Sequence, residues 1–509
     1  MSFVATVYVL PGFAFTGLGA DLRIYHSAPS GLEETCIVPT SYQAEGLASV
    51  SPEEDRKEEI KLCRMTVYPN SAETMRVEVL NGQALSKEPK AKEMIGCAKL
   101  NSTNPGTNFI EVPKGWTHEQ ATQAFCRPTS QVDRQYRDLL DMEAKFESTI
   151  SCSSTAAALS GYHVSRLLGG AGRVPVVVAR TFDRKAHDLV IAEAGRWLGS
   201  SSSLIAQNWR TFKSASARAA SGQPNAKLYT SDGRFVYGGL QENLKGEERY
   251  TEVSGAGSYD TRYQRFLGQA AFVRTANAAS VEAITLDGGR ASGRRTFAEM
   301  APLITQMQDV SDMVLFDVLL SQDDRIGNIH VKPMVMELSG SQEALVPRAM
   351  TKDEKVQIEA VQAQMRSYPL TAKAAAEASR RVFPDGRAIF VRAMYLKDND
   401  CAMDVDIRGN MMRSHQVLEK IRHMNPETYK RFMRFAEEVE SDRFKSFALN
   451  TLLLRPKDYE GAHTSLKGNV QYAVRVLREA CVRGDLKLDL VQSYDAQGNW
   501  VAPPSTACY

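Results

Sequence analysis

The residues best suited to chemistry fall in two acidic turns. In VSDMVLFDVLLSQDDRIGNIHV, residues 310–331, an apolar helical stretch breaks into Asp323-Asp324-Arg325, with Asn328 and a short strand just beyond. Some 74 positions after Asp324 the apolar segment FVRAMYL leads into Lys397-Asp398-Asn399-Asp400. Phosphoryl transfer asks for this kind of equipment: one carboxylate to orient an acceptor hydroxyl, a few oxygen ligands for a divalent ion, and a cation for the phosphates. Asp324, aimed from the end of a buried helix, is the candidate base. Asn328 and Asp398 are hard oxygen donors suited to Mg²⁺ or Mn²⁺. A single acidic turn is ordinarily a solvated cap, so the pairing of two such turns is what suggests one metal site.

Composition narrows the partners. The 62 basic and 60 acidic residues nearly cancel, which gives no reason to expect nucleic acid. The eight cysteines (36, 63, 97, 126, 152, 401, 481 and 508) are scattered, with no C-x-x-C pair, and permit disulfides without requiring them. No H-E-x-x-H occurs, so zinc hydrolysis has no support. Residues 1–20 contain the apolar run FVATVYVLPGFAFTGLGA, which reads either as a signal segment lacking a basic start or as a first buried strand with a turn at Pro11-Gly12. No other run is long and apolar enough for stable membrane insertion.

The elements that must position these turns follow from periodicity. Residues 21–110 read as a β-rich accessory region able to serve a protein partner, with KLCRMTVY and TMRVEVL forming a hairpin around Pro69-Asn70-Ser71 and the charged run SPEEDRKEEIK on a solvated face. Residues 130–147 have helical spacing at Tyr136, Leu139, Leu140 and Phe146, and a second helix covers 155–168. The glycines 169, 170 and 172 follow a helix and precede the strand VPVVVAR, the reverse of a phosphate loop, so they predict a C-cap turn. The Ser- and Ala-rich residues 199–226 predict a loop or insertion, and GRFVYGGL and SVEAITL (280–286) two strands. Two helix-prone segments fill 350–385, and Leu466, Val470, Val474, Leu477 and Cys481 mark one face of a late helix, with Cys481 in the core or in a disulfide.

The segment VSDMVLFDVLLSQDDR resembles the catalytic segment of the secretory-pathway kinases typified by the Golgi casein kinase, D-M-x-x-F-D-F-L-x-x-N-x-D-R. Asp312, Met313, Phe316, Asp317, Leu319, Asp324 and Arg325 match it. The similarity extends in order to YHVSRLLGGAGRVPVVVAR (162–180), to LKDNDCAM against that family's L-D-N-G turn, and to SLKGNVQYAVRVLREACV, covering residues 114–482 in patches. The resemblance implies an α+β fold of the two-lobed atypical kinase type: an N-lobe at 111–290, a mostly helical C-lobe at 291–490 with a helical insertion near 340–390, and a tail at 491–509.

By the same resemblance Asp324 is the catalytic carboxylate, with Asp323 its rival, and Asp398 a metal ligand. Asn328 stands four positions after Asp324, where the family commonly has an acid at five. QAFCRP aligns with the family's Q-A-L-F-K-P, which puts Arg127 in the place of the phosphate-holding lysine, although a planar guanidinium is no geometric substitute for an ammonium. Lys114 is the candidate loop lysine, and the backbone at Glu282 the candidate contact for adenine. Ala158 occupies the position of the lysine's glutamate partner, and no Asp or Glu occurs between Ser148 and Phe182, which leaves Glu143 or Glu147 to form that pair from an earlier helix. The implied function is ATP-dependent transfer to a protein hydroxyl or a glycan, with Mg²⁺ or Mn²⁺. A pseudokinase that keeps ligand without turnover is the alternative, supported by Arg127 and Ala158. Export to an oxidising compartment is implied, and a cytoplasmic location stays open.

Overall fold

The computed structural model describes residues 22–68, 76–79, 92–128, 142–244, 246–250, 259–286, 293, 295–322, 324–326, 328–338, 347–365, 372–403, 416–461, 465–504 and 506–508. The proposed signal segment, the Pro69-Asn70-Ser71 turn and Asp323 lie outside them. The chain opens with β1 (Leu22–Ser27), β2 (Glu33–Val38), α1 (Glu53–Cys63), β3 (Met65–Thr66), β4 (Arg76–Val79), β5 (Lys92–Ala98), β6 (Gly106–Glu111) and α2 (His118–Phe125). There follow β7 (Met142–Glu147), α3 (Thr155–Leu167), β8 (Val177–Asp183), α4 (Arg184–Leu198), α5 (Leu204–Ala220), β9 (Phe235–Glu242), β10 (Glu248–Arg249), α6 (Tyr259–Leu267) and α7 (Ala270–Thr275). The remainder is α8 (Phe297–Leu320), β11 (Ile329–Glu337), α9 (Lys352–Met365), α10 (Ala372–Val382), β12 (Ala388–Leu396), α11 (Pro426–Glu438), α12 (Asp442–Asn450), α13 (Pro456–Glu460) and α14 (Leu466–Val482).

This is a mixed α+β fold. Among the described residues the strands form a nine-stranded sheet, ordered β3-β5-β6-β7-β9-β8-β2-β1-β4, and a three-stranded sheet, β10-β11-β12. The expected accessory region is therefore continuous with the sheet that follows it: β2 pairs with β8 at Cys36↔Arg180 and Ile37↔Ala179. The strands expected to form a hairpin do not pair. β3 runs beside β5 and β4 beside β1, at opposite edges of the sheet, because α1 extends through Cys63, takes the first three residues of KLCRMTVY and leaves only Met65–Thr66 as strand. Nor is α1 wholly solvated, since Glu59, Ile60, Leu62 and Cys63 face inward.

Three further expectations are corrected. Residues 142–147 form a strand rather than the end of a helix: Met-Glu-Ala-Lys-Phe-Glu alternates, and pairing with β6 and β9 overrides the helical spacing before it. The Ser/Ala-rich stretch is not a loop but α5, capped by Ser203 and buried along Trp209, Phe212, Ala215 and Ala219. Residues 280–286 contain a single 3₁₀ turn, Val281–Ala283, in which the Glu282 carbonyl and the Ile284 carbonyl just beyond it accept from Arg295 at 2.7 and 2.8 Å.

The glycine cluster does form a C-cap turn, with Gly169, Gly170 and Gly172 all at positive φ. At Gly169 an added Cβ would run into the Arg431 guanidinium, and at Gly172 it would lie 2.6 Å from Leu396. Helix α8 is buried at every residue from Asp309 to Leu320, which suits a helix running through the middle of the core. It stops at Ser321, in the left-handed region at φ 51°. Asn469 of α14 donates to the Leu319 carbonyl at 3.2 Å and to Ser321 Oγ at 2.6 Å, supplying partners at the helix end.

All eight cysteines pair: Cys36–Cys63, Cys97–Cys126, Cys152–Cys401 and Cys481–Cys508. No helix among the described residues is long and apolar enough to cross a membrane.

Candidate active site

Where α8 ends and β12 ends, the two acidic turns are fastened to each other. Arg325 does most of this. Its Nε donates to Asp317 Oδ1 of α8 at 2.9 Å, one terminal nitrogen donates to the Lys397 carbonyl at 2.9 Å, and the other reaches Asn399 Oδ1. Burial pushes the Asp317 carboxyl up to about 6 against the pull of Arg325. Gln322 adds a second bridge, accepting from the Asp324 backbone N–H at 3.1 Å and donating to the Asp398 carbonyl at 3.0 Å. Asp398 itself stands at φ 51°, a left-handed position that an Asp tolerates better than most residues.

The turn is seated against the large sheet and α3. Ser153 Oγ donates to Asp400 Oδ2 at 2.6 Å, the Ser154 N–H donates to the Asp400 carbonyl at 2.8 Å, and Cys152–Cys401 closes the contact covalently. Gly161 lets α3 lie flush, since an added Cβ would stand 3.0 Å from Asn399 Cβ.

Strand β7 brings the charge that completes the site. Its alternation places Glu143, Lys145 and Glu147 on one face. Lys145 is ion-paired to Asp398, and its Nζ lies 3.1 Å from Glu147 Oε2; Lys99 pairs with the other Glu147 oxygen. Carboxylate oxygens of Glu147, Asp398 and Asp400 all lie within 4.8 Å of one another.

Burial alone would raise these acids, yet Lys145 and then Lys99 outweigh it and hold the Asp398 carboxyl well below the usual carboxylate range. Asp400, pressed by burial and by the charge of Glu147, is pushed up to about 6. The Asp398 side chain keeps 33% of its surface exposed while Lys145 keeps 6%, so the carboxylate opens to solvent and the ammonium lies behind it. Beside this group Lys397 is tied to Glu247 and to Asn243 Oδ1 at 3.2 Å.

Asp324 sits at the solvent edge of the same face. Asn328 Nδ2 donates to its carboxylate at 3.0 Å and to its carbonyl at 2.8 Å. Desolvation by the surrounding protein raises the Asp324 carboxyl, Asn328 opposes it, and the charge of Asp398 adds to the rise.

Asp324, Asn328 and Asp398 are thus brought together, but the carboxylates grouped with Asp398 are Glu147 and Asp400, while the Asn328 amide nitrogen is committed to Asp324. The other expected residues fall elsewhere. Lys114 is exposed in the turn before α2. Arg127 folds back on its own helix, where its Nε donates to the Gln123 carbonyl at 3.1 Å, so it does not supply the site's cation. Glu282 is exposed on the 3₁₀ turn, and its carbonyl, expected near adenine, accepts from Arg295.

The lysine that sequence reasoning missed is Lys145. Its signal is the six-residue alternation M-E-A-K-F-E, masked by the helical spacing of the residues before it. Glu147 does pair with lysine, from a strand rather than a helix.

No family model, curated protein or solved structure matches this chain.

Proposed function

We propose that this chain is an ATP-dependent phosphotransferase of the two-lobed atypical kinase type, resembling the secretory-pathway kinases. It would act on a protein serine or threonine hydroxyl or on a glycan. The observation that carries this reading is the part-buried Lys145–Asp398 ion pair beside Asp324, because a cation, a carboxylate cluster and a candidate base then share one face. The large sheet with α3 would form the smaller lobe, and α8, the three-stranded sheet and the late helices the larger.

The donor set fits a hard divalent ion. Glu147, Asp398 and Asp400 offer oxygen ligands, and two lysines only partly offset three carboxylates. When bound, Mg²⁺ or Mn²⁺ would neutralise charge on the phosphates.

Lys145 would release Asp398 and hold phosphate oxygens through its ammonium. Asp324, steered by Asn328, would orient the acceptor hydroxyl and take its proton as the new P–O bond forms and the bond to ADP breaks; the proton then leaves to solvent. A well-placed base contributes typically about 10²–10⁴-fold. Four disulfides that take up every cysteine support an exported protein.

One observation favours a pseudokinase: Lys145 is already fully engaged by Asp398 and Glu147. Incubation with radiolabelled ATP and Mg²⁺ or Mn²⁺ against protein and glycan panels separates the two. Transfer by the wild type that is lost in Asp324→Ala and Lys145→Met supports the enzyme. Metal-dependent nucleotide binding without transfer selects the pseudokinase, and absence of both removes the reading.

A further inference from the structure

A cavity of about 200 Å³ lies between α7, α8 and the β11–β12 pair at Val331↔Met394. Two arginines line it, Arg274 and Arg392, with Tyr250 and Gln306. Arg392 lies over the Tyr250 ring at 5.4 Å.

Arg274 is the unusual member. It is 7% exposed, and among the described residues its guanidinium meets only neutral acceptors, the Leu286 carbonyl at 3.0 Å and Gln306 Oε1 at 2.6 Å. Its Nε has no hydrogen-bond partner among the described residues. The carboxylate lining the same cavity, Asp309, is spent elsewhere, one oxygen on Arg173 and the other on the Met394 N–H at 2.8 Å. Buried cations are ordinarily paired, because desolvating an unpaired one costs several kcal/mol. Consistent with this, desolvation lowers the Arg274 pKa.

We propose that this cavity binds a small oxyanion, a phosphate or carboxylate group, with Arg274 as its counter-charge. The cavity is roomy enough for that ligand class, since one water needs only about 10–15 Å³ of such space. A planar guanidinium with a free Nε–H suits an oxyanion better than it suits further carbonyls. The site is separate from the Lys145 cluster and does not depend on the phosphotransferase reading.

The test is thermal unfolding of the full chain in chloride, then with inorganic phosphate or acetate added, for the wild type, Arg274→Met and Ala270→Trp. Ala270 lies on the exposed rim, so tryptophan there plugs the cavity and leaves the arginine untouched. We expect a saturable rise in Tm of about 2–4 °C for the wild type, lost in both variants. Response to both anions indicates general oxyanion binding, and response to phosphate alone assigns a phosphate group. Lys145→Met serves as the control for phosphate held at the proposed nucleotide site and should keep the shift. Equal shifts in the wild type and Ala270→Trp, a shift abolished by Lys145→Met, or no saturable shift at all would overturn the proposal. If Arg274→Met does not fold, Ala270→Trp still decides.

Discussion

Lys145 on β7 is ion-paired to Asp398, 253 positions later in the chain, across the junction between the large sheet and the acidic turn. The ammonium stands where a divalent ion would otherwise be drawn by Asp398 and Glu147, and so acts as an internal counter-cation. Lys145→Met leaves these carboxylates facing one another. Breaking a fully buried pair costs about 3–5 kcal/mol, and with Asp398 one-third exposed a smaller loss is expected in denaturant unfolding. The same variant should bind Mn²⁺ more tightly than wild type when no nucleotide is present, which isothermal titration would register; weaker binding would contradict the counter-cation role.

The pH profile of any transfer activity should report Asp324. Its carboxyl is raised by desolvation, so the acidic limb should fall above the ordinary aspartate range. Activity would be lost as pH drops through that value, because only the ionised form accepts a proton. Asn328 donates to the charged form and holds the pKa down. Asn328→Ala should therefore shift the limb to higher pH, and an unmoved limb would exclude Asp324 as the titrating group.

A separate pH effect on stability is expected at Glu59. This carboxyl is fully buried in α1, takes a hydrogen bond from Tyr162 at 2.7 Å and another from Ser51, and is pushed up to about 7 by burial. A raised folded-state pKa means the native state holds its proton longer than the unfolded chain. Its contribution is complete below about 4.5 and fades as pH climbs through about 7. Glu59→Gln should flatten that part of the stability curve, measured by urea midpoints between pH 4 and 8.

Arg325 should resist conservative exchange. Lysine keeps the charge but cannot reach Asp317, Lys397 and Asn399 at once. Arg325→Lys is expected to cost about 1–3 kcal/mol in stability, as buried acceptors lose their donors, and to reduce transfer more than nucleotide binding. A variant with wild-type transfer would show that the two turns need no tether.

The Cys152–Cys401 bond should matter more to the site than the other three. Cys152→Ser with Cys401→Ser is expected to lose about 2–5 kcal/mol and most transfer activity, whereas the pair Cys481→Ser with Cys508→Ser should spare transfer. Free-thiol mass mapping of the wild type should find none.

Much of the site's larger half is legible in sequence because its signals are local. The mainly apolar stretch of α8, its stop before Asp324, and the strand leading into Asp398 each lie within one short window. What escapes is non-local. Lys145 depends on β7 pairing between β6 and β9, and no six-residue pattern competes with the helical spacing around Tyr136 and Leu140. The continuity of residues 22–38 with β8 depends on partners about 140 residues away, which no periodicity can announce. The disulfides are similar, since eight cysteines allow 105 pairings. Residues 204–220 were obscured differently: only Trp209 and Phe212 are large on the buried stripe, and its other positions, Ala206, Ala215, Ser216 and Ala219, are small.

Three of the cross-links join cysteines 27 or 29 residues apart, while the one at the acidic turn spans 249. During biosynthesis the short-range pairs at Cys36–Cys63 and Cys97–Cys126 can close on a growing chain, but Cys152 must wait until the 249 residues up to Cys401 have been made. A nascent chain can therefore assemble much of its large sheet while the site is still open, so that competence for any chemistry arrives late in maturation.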